Sequence, residues 1–149
     1  MNKNNGPQIE SGIYNKGEIN LESIIRSIKR DSNIAEAGSI HTFTGIVRRS
    51  SQTGKPVISM KIDAYDDLAN ESISKICTKL KQEKGIINIK IIHLKGEFEL
   101  TDDLVYVVVA SAHRKEGFEV ISKAVDMYKK EIAVWKRENY KDGSSDWIH

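Results

Sequence analysis

Cysteine is nearly absent: Cys77 is the only one in 149 residues, so no internal disulfide and no cysteine-based metal cluster can form. No apolar run approaches the roughly 20 residues that a membrane-crossing helix needs. The opening stretch, Met1 to Gln8, lacks the apolar core of a signal peptide. A cytoplasmic, soluble protein with no membrane association is therefore expected. Charge of one sign is also missing, since 23 basic residues nearly cancel 21 acidic ones. That balance gives no support to a nucleic-acid binder, so any cationic site must arise from local clustering. Neither a glycine-rich phosphate loop, a paired-histidine metal motif nor a serine elbow is found, and no metal site is expected. Internal repeats and low-complexity tracts are lacking too.

What is present fits one domain of ordinary apolar content. Met1 to Gln8 reads as a loose tail, residues 9–138 as the domain, and 139–149 as a polar C-terminal tail broken only by Trp147 and Ile148. Ile9 to Tyr14 suits a short edge strand. Leu21, Ile24, Ile25 and Ile28 recur at helical spacing, with Asn20 placed to cap. Ser39 to Arg48 is rich in β-branched and aromatic residues, and Gly45 inside it marks a bulge or a close backbone approach. Arg49 to Pro56 is a polar loop. Val57 to Tyr65 alternates, with Ile58, Met60, Ile62 and Ala64 expected on one face. Asp66 and Asp67 open a second helix striped by Ala69, Ile73, Ile76, Cys77 and Leu80, ended by Gly85. Ile86 to His93 reads as a strand and Gly96 to Leu100 as a separate short one. Leu104 to Ala112 is apolar on both faces, as a central strand is. Phe118, Ile121, Val125, Tyr128 and Ile132 then stripe a third helix. The order β-α-β-β-α-β-β-α indicates an α+β or α/β sandwich, with three main helices packed on a sheet.

Few residues carry obvious chemistry. His113, Arg114 and Lys115 follow the central strand and open the third helix. There they either form an anion site at a helix N-terminus or are simply solvated first-turn residues. Lys129 and Lys136 lie seven apart, two turns of a continuing helix, and would share a face. A lysine near other cations and partly desolvated has a lowered pKa and can carry protons or attack; the plain alternative is an exposed final turn. Arg48 and Arg49 leave a strand for a loop, a further anion contact. His41 and His93 sit within strands and read as packed or hydrogen-bonded. Cys77 falls on a core stripe, so no sulfur nucleophile is evident.

In order, these segments resemble the large subunit of molybdopterin synthase. Gly38 to Arg48 contains Thr42-Phe43-Thr44-Gly45-Ile46-Val47-Arg48, which follows that family's T-F-x-G-x-V-R pattern. Asp63-Ala64-Tyr65 precedes a helix, as there. His93-Leu94-Lys95-Gly96-Glu97 comes next, followed by the strand ending in Ala112-His113-Arg114. Trp135-Lys136-Arg137-Glu138 closes the series, with Lys129 at the matching distance before it. Departures are Ile46 for a lysine, Leu68 for a methionine, Thr101 for a turn glycine and Ala133 for a proline. With Ala133 in that place, the third helix is expected to run on.

The resemblance implies an α/β hammerhead-type fold with a mixed or antiparallel sheet. It also implies a central homodimer that takes up two small ubiquitin-like sulfur-carrier subunits, making a heterotetramer. The carrier ends in Gly-Gly with a thiocarboxylate, and the substrate is cyclic pyranopterin monophosphate. Two sulfur transfers would yield molybdopterin, a sulfurtransferase activity in molybdenum cofactor biosynthesis, with no cofactor of its own. Lys129 and Lys136 become the catalytic candidates. Ile46, Val47, Arg48, His113, Arg114, Lys129, Lys136, Arg137 and Glu138 become substrate-binding candidates, with Glu138 orienting a cation and Phe43 either packing beneath the pocket or serving the core alone. Such reactants need cationic recognition, and a sulfur-bearing partner makes a nucleophilic cysteine unnecessary. The competing classes are a non-catalytic module that binds a ubiquitin-like tail by strand addition and an RNA-binding domain. Pterin binding separates the first. Few aromatics are placed to stack bases for the second.

Overall fold

The protein's computed structural model describes residues 8–148. The expected loose tail at Met1 to Gln8 lies outside the described residues except for Gln8, whose side chain accepts a hydrogen bond from Ser27 Oγ at 3.0 Å. The elements are β1 (Gly12–Asn15), α1 (Leu21–Ile28), a 3₁₀ turn (Ile34–Glu36), β2 (Ser39–Ile46), β3 (Val57–Ala64) and α2 (Asp66–Lys81). They continue with β4 (Ile86–Glu99), β5 (Asp103–Ser111), α3 (Arg114–Glu131), β6 (Val134–Tyr140) and β7 (Ser145–Ile148). The sheet runs β2-β5-β4-β3-β6-β7, with β1 added to β4. Among the described residues only β1 with β4 is parallel, and every other pairing is antiparallel. This is the mixed α+β sheet with three helices that the sequence implied.

β5 is buried along both faces, from Leu104 to Ala110, because helices cover it above and below. α3 packs on β2 and β5, and α2 on β4 and β1. The His41 ring meets α3 at Gly117, while Ile40 shares a hollow with Lys29 and Ile34 beside α1. Neighbouring strand residues face opposite ways, so α1 covers the other face. Asn20 caps α1 as expected, its side chain accepting from Ser23 N at 2.9 Å. Each fully buried Ile or Val in this stack contributes about 1.5–3 kcal/mol.

β4 is one strand rather than the two expected. Its first part pairs with β5 and β1, and Gly96 to Glu99 pair with β3. Gly96 has φ +132°, a conformation that favours glycine, and there the strand bends from the helix-covered half into the second half. Ile58 does not face the core with Met60 and Ile62. The β3–β6 register slips between Val57 and Ser59, and Ile58 is left exposed. The stripe of α3 is also rotated from expectation. Gly117, Val120, Ala124 and Tyr128 are buried, while Phe118 is 62% exposed. A Cβ at Gly117 would collide with the His41 ring and Ser111 Oγ, so the helix approaches the sheet on its smallest residues and turns Phe118 outward.

Two expectations about the C-terminus fail. α3 does not run on: Ile132 is already extended (φ −82°, ψ 134°). No proline is needed, because Ala133 O accepts from Tyr65 N at 3.2 Å and Val134 starts the pairing of β6 with β3. Residues 139–148 are not a tail, since β6 continues to Tyr140 and β7 pairs back on it from Ser145 to Ile148; His149 lies outside the described residues. The domain thus reaches beyond residue 138, and that boundary falls inside a strand. Thr101, at the β4–β5 turn, adopts φ +72°, the left-handed conformation a glycine takes without strain.

Candidate active-site cleft

Two adjoining hollows, of about 430 and 450 Å³, open where the end of β2, the end of α3 and β6 come together. Arg48, Gln52, Tyr128, Lys129, Lys136 and Ile148 line both. Each arrives for a local reason. The bulge between Gly45 and Ile46 ends β2, and Val47 is then anchored by Val47 N to Asp102 O at 3.1 Å and Thr101 N to Val47 O at 2.8 Å. The exposed Arg48 follows at the cleft mouth. Lys129 stands on the last turn of α3. Lys136 and Glu138 are alternate residues of β6 and both face the cleft.

The two lysines do share a site, but by a different route from the continuous helix that spacing suggested. The break at Ile132 brings a strand lysine beside a helix lysine. Burial lowers the Lys136 pKa, and the Lys129 ammonium lowers it further; Glu138 opposes both. Glu138 is itself buried and accepts from the Tyr140 hydroxyl at 3.2 Å, so it is held as a fixed negative partner for Lys136. A lysine in this setting exchanges its proton nearer neutrality than a solvated one.

His93 lies below, 1% exposed, its ring edge-on to Tyr128 at 5.9 Å between centroids. Burial first, and the Lys136 charge second, lower its pKa to about 4, against a smaller raising effect from the Leu94 carbonyl. Its Nδ1 lies 3.0 Å from Leu94 O. A carbonyl only accepts, so Nδ1 carries the proton and the neutral ring leaves Nε2 as an acceptor.

Of the residues singled out in the sequence, Ile46, Val47, Arg48, Lys129, Lys136 and Glu138 line the cleft, and Phe43 helps to form its wall. Arg137 does not. It projects from the other face of β6, donating to Ser145 Oγ from Nε at 3.1 Å and Nη2 at 2.8 Å, with its guanidinium 6.0 Å from the Trp147 ring. His113 and Arg114 are exposed at the start of α3, about 22 Å along the helix from Lys129 at 1.5 Å per residue. Within one chain they stand apart from the cleft. Sequence reasoning passed over Tyr128, Gln52, Ser50, Ser51 and Ile148. Ile148 could have been found as an apolar residue in a polar segment, and Gln52 by its place in the loop that follows Arg48.

Fold and cleft together define an α+β protein with a cleft rimmed by Arg48, Lys129 and Lys136. The chain belongs to the family described as MoaE protein, whose pattern it matches over residues 14–131. It is 32% identical over 132 residues to the probable molybdopterin synthase of Haloferax volcanii, covering 88% of this chain and 50% of that one. To the molybdopterin synthase catalytic subunit of Bos taurus it is 36% identical over 110 residues, covering 74% and 58%. The catalytic subunit of Thermoplasma volcanium is 32% identical over 130 residues, with 87% and 91% covered. The chain thus spans about half the length of the first two relatives and nearly all of the third. Molybdopterin synthase from Staphylococcus aureus shares the fold, with TM-score 0.82 at 24% identity over 96% of this chain and 99% of that one.

Proposed function

We propose that this protein is the catalytic subunit of a molybdopterin synthase, a cytoplasmic sulfurtransferase. Its substrate would be cyclic pyranopterin monophosphate. The sulfur would come, in two transfers, from the thiocarboxylated Gly-Gly end of a small ubiquitin-like partner. The observation that carries this reading is Lys136, half-buried in one cleft with Lys129, Glu138 and Arg48. Arg48 is suited to the phosphate or a polar edge of the ring, through paired N–H donors. Lys129 supplies fixed positive charge for the tail's acyl end. Lys136, eased toward its neutral form, moves protons as sulfur leaves the acyl carbon. The neutral His93 below presents an acceptor rather than a second competing charge.

A homodimer gives His113 and Arg114 a part as well. A second copy laid antiparallel along the partly exposed Phe118, Ile121 and Val125 side of α3 would carry its own Arg114 toward Lys129. With one carrier per copy, the assembly is a heterotetramer. The Helicobacter pylori structure of the same fold, at TM-score 0.66 and 18% identity, is a complex of subunits 1 and 2 of molybdopterin-converting factor, which favours a small-subunit partner here too. The test is conversion of the pterin precursor by this protein with a thiocarboxylated carrier. Product from wild type, lost in both Lys129→Ala and Lys136→Ala, is the expected result. A wild type that binds carrier but neither binds nor converts the pterin would leave only a non-catalytic binding module.

A further inference from the structure

Tyr128 is the last buried residue of the α3 stripe, 4% exposed, and at first sight a plain core aromatic. Its ring fills the core against the edge of His93. Its hydroxyl has a different setting. Among the described residues it meets no hydrogen-bond partner, yet it reaches both hollows of the cleft. The ring is buried, but the hydroxyl is not one of the buried atoms left without a partner; it is open to the cleft, where water or a reactant can pair with it. Gly45 borders the space beside it. A Cβ built there would lie 2.7 Å from Val105 Cγ1 and 3.9 Å from the Tyr128 hydroxyl. The bulge that ends β2 thus exposes a donor at the cleft floor, one residue before Lys129.

We propose that the Tyr128 hydroxyl is a substrate-contacting donor whose missing partner is an oxygen acceptor on a bound reactant. This rests on the synthase reading above. Burial holds the phenol's pKa up at about 12, so the group keeps its proton and can donate around neutral pH. It adds no charge to a site that already holds Arg48, Lys129 and Lys136. The acceptor is a carbonyl-type oxygen, supplied either by the pterin ring or by the acyl end of the carrier's tail.

Tyr128→Phe isolates the hydroxyl, because the ring and its packing on His93 remain. With wild type active, kcat and KM are measured separately for the pterin and for the thiocarboxylated carrier, alongside thermal unfolding of the reactant-free protein. The expected result is a fall of about tenfold in kcat/KM for one reactant, the size of one neutral hydrogen bond, and a Tm unchanged or raised. A change confined to the pterin's KM assigns the acceptor to the ring; one confined to the carrier assigns it to the tail. Unaltered constants for both reactants would overturn the inference. So would a lowered Tm, which would mean that the hydroxyl is satisfied inside the fold. An inactive wild type would remove the parent reading and this one with it, whereas an active wild type with an unimpaired variant removes this one alone.

Discussion

The two halves of the sheet bury their strands differently. In the first, β5 lies between β2 and β4 with helices on both faces, and everything from Leu104 to Ala110 is buried. In the second, β6 alternates: Lys136 and Glu138 look into the cleft while Arg137 looks out. A strand covered twice can contribute only packing. One covered once can hold a cation half in water, where its proton affinity is open to adjustment by its neighbours. Coverage thus divides the sheet, with the buried packing concentrated in the first half and the cleft-facing charged residues in the second.

Breaking that contrast should produce effects of graded size. Lys136→Ala should cost a hundred- to ten-thousand-fold in turnover, the range for a positioned proton carrier, with a smaller stability change than a core truncation, because relief of the Lys129 repulsion offsets the loss of Glu138's cationic neighbour. Retained turnover would place the chemistry elsewhere. Ile91→Ala, in the fully buried part of β4, should do the opposite, lowering unfolding free energy by about 2–5 kcal/mol while the folded fraction stays active; denaturant titration beside an assay checks both. His93 ties the halves together. Its pKa falls from 6.5 to about 4 on folding, so between those values the unfolded chain takes a proton that the folded one refuses. Stability is therefore full above pH 6.5 and declines by about 3 kcal/mol as the pH drops toward 4. A His93→Phe variant with the same acid slope would assign that loss to other groups. The smallest effect is expected at the β4–β5 turn, where Thr101→Gly should raise stability by about 1 kcal/mol by relieving a left-handed β-branched residue; an unchanged Tm would show that no strain is held there.

The first half was largely legible in the sequence for the same physical reason. Continuous apolar character named β5 as central, and Asn20 ahead of a 3.6-residue pattern marked the start of α1. The order of strands and helices from β1 to α3 follows from such local signals, apart from the split expected in β4. The second half was less legible because its decisive features are non-local. Nothing near Ile132 forbids more helix; pairing of β6 with β3 ends it. Ile58 faces out because of a register slip that needs both strands to exist. Residues 139–148 look like a polar tail until β7 folds back on β6. Lys129, Lys136 and Arg48 could be singled out by residue type and by family resemblance, and they do converge. Arg137 was misplaced by the same resemblance, because strand alternation sends it to the far face. Tyr128 was hidden for another reason: its ring satisfies a core pattern completely, and no pattern reports where the hydroxyl points.

The bend at Gly96 has a mechanical consequence. Because β4 is continuous across both halves, the cleft hangs from the same backbone that anchors the core, and His93 sits just before the bend. The strand that carries the core packing therefore also carries His93 to the cleft, so a substitution that displaces β4 should be felt in both halves. The same continuity sets the cleft between that shared strand and the Ser50, Ser51, Gln52 and Ile148 side chains that line its far side.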